Sequence, residues 1–352
     1  MSRSLGGSSG HPPHLSIPLN DPSRLGEARR IAASMSGAAG FDSVAAGRVA
    51  LVVSEMASNL LKHATGGRLL LASRETANGA CIDVLSMDAG PGMADLAACR
   101  RDGYSSSGSL GQGLGAMERL ADEFDLISHP GIGTLIFARI HGHGGPSPRP
   151  AAPCNGIFEV GTICLPAPGE GVSGDGWGFS CAGQRLSVMM ADGLGHGPGA
   201  AAAAQAAQDV FTAQFPADCP GGPQRMVERA HTALRATRGA ALTAACLDAE
   251  AGTIRYAGAG NVLARVVSGV DDRVLQVQNG TVGVQIRTVN EQTAAWPAHA
   301  LFILFSDGVQ SRWQLDPVLL RAHPALVAAW LAWRYGRGKD DTTVLVVRRA
   351  RT

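Results

Sequence analysis

Four short acidic segments in the second half of the chain share one design. They are Gly174-Asp175-Gly176, Asp192-Gly193-Leu194-Gly195-His196-Gly197, Ser306-Asp307-Gly308-Val309 and Asp340-Asp341-Thr342-Thr343. Each sets an aspartate beside glycine or another small residue at one end of an apolar, strand-like run. Carboxylates at strand ends can converge, and hard divalent cations such as Mg²⁺ or Mn²⁺ take oxygen ligands. A pair of such ions can hold and deprotonate a water for in-line attack on phosphorus. The predicted chemistry is hydrolysis of a phosphate ester by metal-bound water. Without cations, four clustered carboxylates repel one another.

The first half carries a different set: Glu55-x-x-x-Asn59, Asp88-Ala-Gly90-Pro-Gly92 and Gly111-Gln-Gly113-Leu-Gly115. An aspartate after a buried strand can accept a hydrogen bond from an adenine amino group. Glycines beside it let the base approach the backbone. Asparagine can hold Mg²⁺, and a nearby glutamate can act as a general base. A glycine-rich stretch ahead of a helix offers backbone N–H groups to phosphates at the positive helix end. In this order and spacing the set predicts a nucleotide pocket.

These residues need elements to hold them. Asn20-Asp21-Pro22 predicts a helix start. A second helix is expected from Asp42-Ser43 to about His63, with Val49, Val52, Val53, Met56 and Leu60 as its apolar stripe. Glu55, Asn59 and His63 lie on another face of it. Strands are expected at residues 68–73, 81–87, 124–128 and 134–140, and a helix at 115–121. Beyond residue 155, strands are expected at 157–165, 177–181, 186–191, 242–247, 253–257, 274–278, 300–305 and 343–347. Helices are expected at 199–215 and 224–237, and over 317–335 with a break near Pro324. His141–Pro153 is Gly/Pro-rich and reads as a linker; His141 and His143 within it are not expected to hold a metal.

Bulk properties narrow the function. Of 352 residues, 45% are hydrophobic and 17% charged, with a net charge of +1. That balance gives no electrostatic case for nucleic acid or an anionic membrane, and 5% aromatics provide few stacking platforms. The seven cysteines (81, 99, 154, 164, 181, 219 and 246) form no CxxC pair. Reduced, mostly buried thiols in a cytoplasmic protein are therefore expected, without a disulfide framework. The N-terminus lacks a signal-peptide core, and no uninterrupted apolar run reaches membrane-spanning length.

Residues 20–140 resemble the GHKL ATPase superfamily, in its anti-sigma-factor and stress-complex serine kinase branch. The run from Asp102 to Gly115 carries much of that likeness, and Thr134 in Gly133-Thr134 fits the last pocket contact. The resemblance implies that Asp88 reads adenine, that Asn59 ligates the Mg²⁺ of bound ATP, and that Glu55 accepts the proton of a substrate serine. Gly90, Gly92, Gly111, Gly113 and Gly115 would shape the ATP site.

Residues 155–348 resemble the metal-dependent Ser/Thr protein phosphatases, SpoIIE-type. The likeness rests on Gly174-Asp175-x-Trp177, Ala191-Asp192-Gly193-Leu-Gly-His196-Gly197, Gly280-Thr-Val-Gly283, Phe305-Ser-Asp307-Gly308-Val309 and Asp340-Asp341-x-Thr343. It implies that Asp175 and Asp192 share two Mg²⁺ or Mn²⁺ ions, with the Gly193 carbonyl assisting. Asp307 and Asp340 would both ligate one of the metals, with Asp341 as a neighbour shaping the site, although the sequence leaves open which of Asp340 and Asp341 binds. His196 is expected to support the loop. No arginine stands where eukaryotic relatives hold the substrate phosphate, so that role is unassigned.

The expected fold class is α+β: a GHKL α/β sandwich with helices on one face of a mixed sheet, then an αββα phosphatase sandwich. The expected division is a flexible N-terminus (1–17), an ATP-binding domain (18–140), a linker (141–154) and a phosphatase domain (155–350). The resemblances imply a bifunctional kinase and phosphatase acting on a STAS-type anti-sigma antagonist or stress-complex protein, with a sigma factor as a further partner class. The alternatives are a phosphatase whose first domain only senses ATP or binds an anti-sigma partner, and a nucleotide-bound scaffold.

Overall fold

The computed structural model describes residues 11–76, 79–93, 113–142, 156–214 and 221–350. Two compact units divide the chain. One comprises His14–Pro153 with Asp316–Trp330; the other comprises Met1–Pro13, Cys154–Leu315 and Leu331–Thr352.

In the first unit, five strands form a sheet in the order β1-β2-β3-β5-β4: β1 (Leu15–Pro18), β2 (Arg68–Thr76), β3 (Gly79–Asp88), β4 (Glu123–His129) and β5 (Gly133–His141). Every described pair is antiparallel, where a mixed sheet was expected. The β2–β3 and β4–β5 connections are hairpins, too short for the crossover that parallel pairing needs. Leu15–Pro18 pairs along β2, so ordered sheet begins inside the stretch expected to be flexible. His141 ends β5 rather than opening a linker, and His143 lies outside the described residues.

Helices α1 (Ser23–Ala38), α2 (Ser43–His63) and α3 (Gly113–Leu120) pack on one face of this sheet. Asp42 starts α2 by accepting the Ala45 N–H at 2.7 Å, as a capping aspartate should. The expected stripe of Val49, Val52, Val53, Met56 and Leu60 is buried against Leu69, Leu71, Ile82 and Val84. Each such side chain contributes about 1.5–3 kcal/mol of burial. By length and composition α2 could cross a membrane, yet this stripe lies in the core of the unit. That packing turns Glu55 and Asn59 toward the start of α3.

The opposite face of the sheet holds buried charge. Arg139 reaches Asp83 at 2.6 Å and Glu123 at 3.1 Å. Burial alone would push both carboxyls up, but the Arg139 guanidinium outweighs it and holds them below the usual range. His323 closes the network: its N–H donates to Asp125 at 2.7 Å and its ring meets Glu123 at 3.0 Å.

The second unit stacks two five-stranded sheets. One has the order β15-β10-β9-β8-β7, with β7 (Asp175–Ala182), β8 (Arg185–Gly193), β9 (Ala240–Asp248), β10 (Thr253–Ala259) and β15 (Gln292–Ala295). The other has the order β12-β11-β16-β17-β6, with β6 (Phe158–Leu165), β11 (Leu263–Val267), β12 (Asp272–Leu275), β16 (Leu301–Phe305) and β17 (Thr342–Arg349). A small pair, β13 (Gly280–Thr281) and β14 (Gln285–Ile286), stands apart. Phe158, Trp177, Leu186, Phe302 and Leu345 fill the core between the large sheets. Helices α4 (Pro198–Gln214) and α5 (Gly222–Ala233) cover the outer face of the first sheet through Ala203, Ala207, Met226 and Val227. A last helix, α6 (Pro324–Tyr335), follows a short 3₁₀ turn at Leu319–Arg321, placing the expected break at Pro324; the turn and the helix as far as Trp330 belong to the first unit.

The cysteines depart from the all-thiol expectation. Cys81 and Cys164 are free and buried, and burial pushes the Cys81 thiol up to about 12. Cys181 and Cys246, however, are each disulfide-bonded. Cys181 faces Leu186 and Cys246 faces Ser187.

Candidate functional site

Register brings the first two acidic segments together. Asp175 opens β7 and Asp192 is the last residue but one of β8, and the two are direct cross-strand partners. Directly opposed side chains share one face, so the carboxylates face the same space. Gly193 N–H donates to Gly174 C=O at 3.0 Å. A side chain at Gly193 would strike the Ala200 carbonyl at 2.2 Å, and one at Gly174 would meet Asp341 Oδ2 at 2.7 Å. Glycine is needed at both positions for the loop after Asp192 to pass this close.

The other sheet supplies the remaining carboxylates. Ser306, at the end of β16, donates its hydroxyl to Asp175 Oδ2 at 2.7 Å and accepts the Thr343 N–H at 3.0 Å. Asp307 follows it, and Asn261 Nδ2 donates to Asp307 Oδ2 at 2.6 Å. Asp340 and Asp341 lead into β17. Asp341 Oδ1 accepts the Ala167 N–H at 2.9 Å, while Asp340 Oδ1 accepts the Asp341 N–H at 2.9 Å.

Charge accumulates here, with Arg337 acting on Asp307. Burial, then the neighbouring aspartates, push Asp175 up to about 7, although the Ser306 and Thr343 hydroxyls oppose the rise. Burial and the charges of Asp175, Asp307, Asp340 and Asp341 push Asp192 up to about 9. Asp307 and Asp341 are also raised, chiefly by burial. Asp175 Oδ1 and Asp341 Oδ2 are buried and make no well-formed hydrogen bond, although the Thr343 hydroxyl acts on Asp175 and the Gly174 N–H and Ser173 hydroxyl act on Asp341. Buried carboxylate oxygens without a well-formed hydrogen bond, in a cluster of mutually repelling acids, fit divalent cations. Among the described residues no three His, Cys, Asp or Glu side chains close on one point as a ready-made cage. The aspartates form a spread cradle and not a closed cage.

His196 lies beside the cradle and is exposed; its Nδ1 meets Glu170 at 2.7 Å. That pairing fits the expected loop-supporting role.

In the first unit, Glu55 and Asn59 converge on Gly113. A side chain there would lie 3.2 Å from Glu55 Oε2 and 3.8 Å from Asn59 Nδ2. Asp88 ends β3 and faces Thr134 across the ladder. Gly90 N–H donates to Asp88 Oδ1 at 2.7 Å, and burial raises the Asp88 carboxyl. Gly92 has φ +71°, and a side chain there would strike His129 O at 2.4 Å. The Thr134 hydroxyl meets Ser128 Oγ at 2.8 Å. Gly115 is buried in α3. Gly111, and most of the glycine-rich run, lie outside the described residues.

Comparison with known proteins matches both halves. Residues 182–350 match the family of Stage II sporulation protein E (SpoIIE), and residues 19–139 match the histidine kinase-like ATPase domain. The serine/threonine-protein kinase RsbT of Bacillus subtilis (strain 168) is 34% identical over 111 residues, which cover 32% of this chain and 84% of that protein. The chain belongs to the histidine kinase-like ATPase family in its first half, and its second half matches the SpoIIE family model over residues 182–350. A chain from a bacterial stressosome structure is 26% identical, with TM-score 0.49, covering 54% of this chain and 99% of its own. The phosphatase domain of SpoIIE from Bacillus subtilis, with a fragment of its regulatory domain, is 17% identical with TM-score 0.47, covering 77% of this chain and 79% of its own.

Sequence reading gave no role to several residues now seen in the SpoIIE domain. Ser306 sits inside a recognised motif, yet its task of turning Asp175 depends on two other strands. Asn261 follows Gly258-Ala-Gly260, a turn signal that says nothing of Asp307. In the ATPase domain, Ser128 links Thr134 to the Met93 N–H at 2.7 Å, and no local pattern marks it.

Proposed function

We propose that this chain is a bifunctional signalling enzyme of the bacterial cytoplasm. Its SpoIIE domain removes phosphate from serine or threonine on a protein partner. Its ATPase domain binds ATP with Mg²⁺ and phosphorylates a serine or threonine. Asp175, Asp192, the Gly193 carbonyl, Asp307 and Asp340 would hold two Mg²⁺ or Mn²⁺ ions. Bound, those ions lower the pKa of water and neutralise the phosphate. The protein's own part is to orient the carboxylates: Ser306 turns Asp175, Asn261 holds Asp307, and Asp341 braces the loop at Ala167. The observation that carries this reading is the cradle itself, in which opposed Asp175 and Asp192 meet two further acids from the second sheet and buried oxygens make no well-formed hydrogen bond.

For the ATPase domain, Glu55 lies within reach of the space over Gly113 and would accept the hydroxyl proton of the substrate. Asn59 beside it would hold Mg²⁺, and Asp88 with Thr134 would read adenine. The RsbT likeness supports a STAS-type anti-sigma antagonist or stress-complex protein as the substrate, with a sigma factor as a further partner. Kinase and phosphatase on one chain consume ATP to no end unless a signal biases one of them, so the two activities should be oppositely regulated.

The test uses the full chain and one STAS protein in both states. Manganese-dependent release of phosphate from the phosphorylated form, lost in Asp192→Ala, supports the hydrolase. Transfer of labelled γ-phosphate to the unphosphorylated form, lost in Glu55→Ala, supports the kinase. ATP binding without transfer to any partner would sink the kinase half and leave a sensor.

A further inference from the structure

Resting on that phosphatase reading, we infer that Arg238 binds the phosphate of the substrate, the role that sequence reading leaves without a residue. Arg238 stands just ahead of β9, the neighbour of the strand that carries Asp192. The ladder pairs Asp192 with Ala241 and Gly193 with Ala240. Leu194 N–H donates to Gly239 C=O at 3.0 Å, which pins the residue after Arg238 to the residue after Gly193.

The backbone under Arg238 is held from three sides. Gly239 has φ +82° and no room for a side chain, with Thr281 and Val282 at 2.8 Å from where one would begin. Ala240 and Val282 exchange backbone hydrogen bonds at 2.8 and 2.9 Å. Gly239 N–H donates to Thr237 Oγ1 at 3.0 Å. This gives the Gly280–Gly283 motif a purpose: it buttresses the turn that presents Arg238. A built turn behind an exposed side chain suggests that the side chain's position matters.

The guanidinium lies over the loop of the metal cradle. A side chain on Gly199 would meet its Nε at 2.6 Å and Cζ at 2.7 Å, and one on Gly195 would meet Nη1 at 3.6 Å. The Gly195 carbonyl lies 3.4 Å from the Cβ position of Gly174, which is itself 2.7 Å from the buried Asp341 Oδ2. Arg238 is therefore one loop away from the buried oxygens of the cradle. Gly195 and Gly199 leave the space above that loop open to it.

Arg238 is exposed, and among the described residues no carboxylate pairs with it. The nearby Glu170 is engaged with His196 at 2.7 Å. The cation also sits against the first turn of α4, which has no acidic residue and where a helix already presents positive charge. Locally that placement is unfavourable, and an arriving dianion relieves it. A guanidinium offers phosphate two parallel donors in a planar fork, which fixes orientation as well as charge.

The experiment titrates inorganic phosphate, the product, into the Mn²⁺-loaded full chain by calorimetry. Arg238→Ala should weaken phosphate binding at least tenfold while Mn²⁺ affinity and melting temperature stay unchanged. Arg238→Lys should fall between, keeping charge but losing the fork. Arg235→Ala, on the exposed turn upstream, should behave as wild type. With a phosphorylated STAS protein, the Arg238→Ala loss should appear mainly in KM. Equal phosphate affinity in wild type and Arg238→Ala overturns the inference, as does a loss of Mn²⁺ binding, which would make the residue structural. Absence of metal-dependent hydrolysis by the wild type overturns instead the reading on which it rests.

Discussion

Ser306 Oγ donates to Asp175 Oδ2 at 2.7 Å, and the other oxygen of that carboxylate is buried without a well-formed hydrogen bond. The Ser306 hydroxyl thus fixes one oxygen of Asp175, while the Thr343 hydroxyl also acts on the carboxylate. Ser306 Oγ also accepts the Thr343 N–H, so a single side chain ties together the ends of β7, β16 and β17. These three strands come from two different sheets. Their alignment at this point is what allows acids distant in sequence to share one space.

Ser306→Ala should separate orientation from ligation. The substitution leaves the Thr343 N–H buried without its acceptor, at a cost of about 1–3 kcal/mol. It also frees Asp175 to rotate. Loss of such an outer partner weakens metal binding by roughly 10–100-fold. Calorimetric titration with Mn²⁺ checks this; unchanged affinity would mean that the hydroxyl serves packing alone.

The metal-free protein should lose stability as pH rises. Asp175 is raised to about 7 and Asp192 to about 9, from an ordinary 3.8. A group whose folded pKa exceeds its unfolded value binds protons more tightly when folded. Its contribution is complete below about 4 and is lost as pH climbs through the folded values. Thermal melts of the metal-free chain should therefore fall between about pH 5 and 9. Mn²⁺ should restore more at the upper end, and Asp192→Asn should flatten the profile. A flat wild-type profile would show that these acids are not as crowded as the structure has them.

Much of this was legible because the relevant signals are local. The α2 stripe, the Asp42 helix start and the strands that lead to Asp88, Asp192 and Asp307 all follow from periodicity and turn chemistry within a few residues. The misses have a common cause in long-range context. Gln292–Ala295 forms an edge strand although QTAA is mostly polar, because it adds to an existing sheet at β10. Leu263–Val267 is interrupted by Arg265, whose charge is met by Asp272 in β12 and by the face of Trp313, with Cζ at 3.6 Å from the ring centre. The aspartates were found as motifs, but which oxygens remain free depends on Ser306, Asn261 and Ala167, each contributed by a distant segment.

Glu55 and Asn59 should divide the work of phosphoryl transfer. Both lie against Gly113, so a β-carbon at that position would crowd the Glu55 carboxylate at 3.2 Å. Glu55→Gln keeps the shape and removes the base, and should cut transfer by about 10²–10⁴-fold. ATP affinity should stay within about threefold, since the base has no part in holding nucleotide. Gly113→Ala should lower both transfer and Mg²⁺-dependent nucleotide binding. Radiolabel transfer and fluorescent-nucleotide titration measure the two separately. Equal loss of both in Glu55→Gln would place the glutamate in the binding site instead of the chemistry.

Asp340 and Asp341 should respond differently despite being neighbours. Asp341 Oδ1 is committed to the Ala167 N–H at 2.9 Å, a contact between segments 174 residues apart. Asp340 receives only the adjacent Asp341 N–H at 2.9 Å, and its charge acts on both Asp192 and Asp307. Asp340→Asn should therefore weaken Mn²⁺ binding by roughly 10²-fold with little change in melting, because one ionic ligand is lost from a partly open position. Asp341→Ala should do the reverse: it strands the Ala167 N–H, costs about 1–3 kcal/mol of stability and affects Mn²⁺ less. Asp341→Asn keeps an acceptor oxygen and should recover most of that stability. Paired melting and Mn²⁺ titrations of the three variants read the outcome. If Asp341→Asn abolishes metal binding while Asp340→Asn does not, the ligand is Asp341 and the brace at Ala167 is secondary.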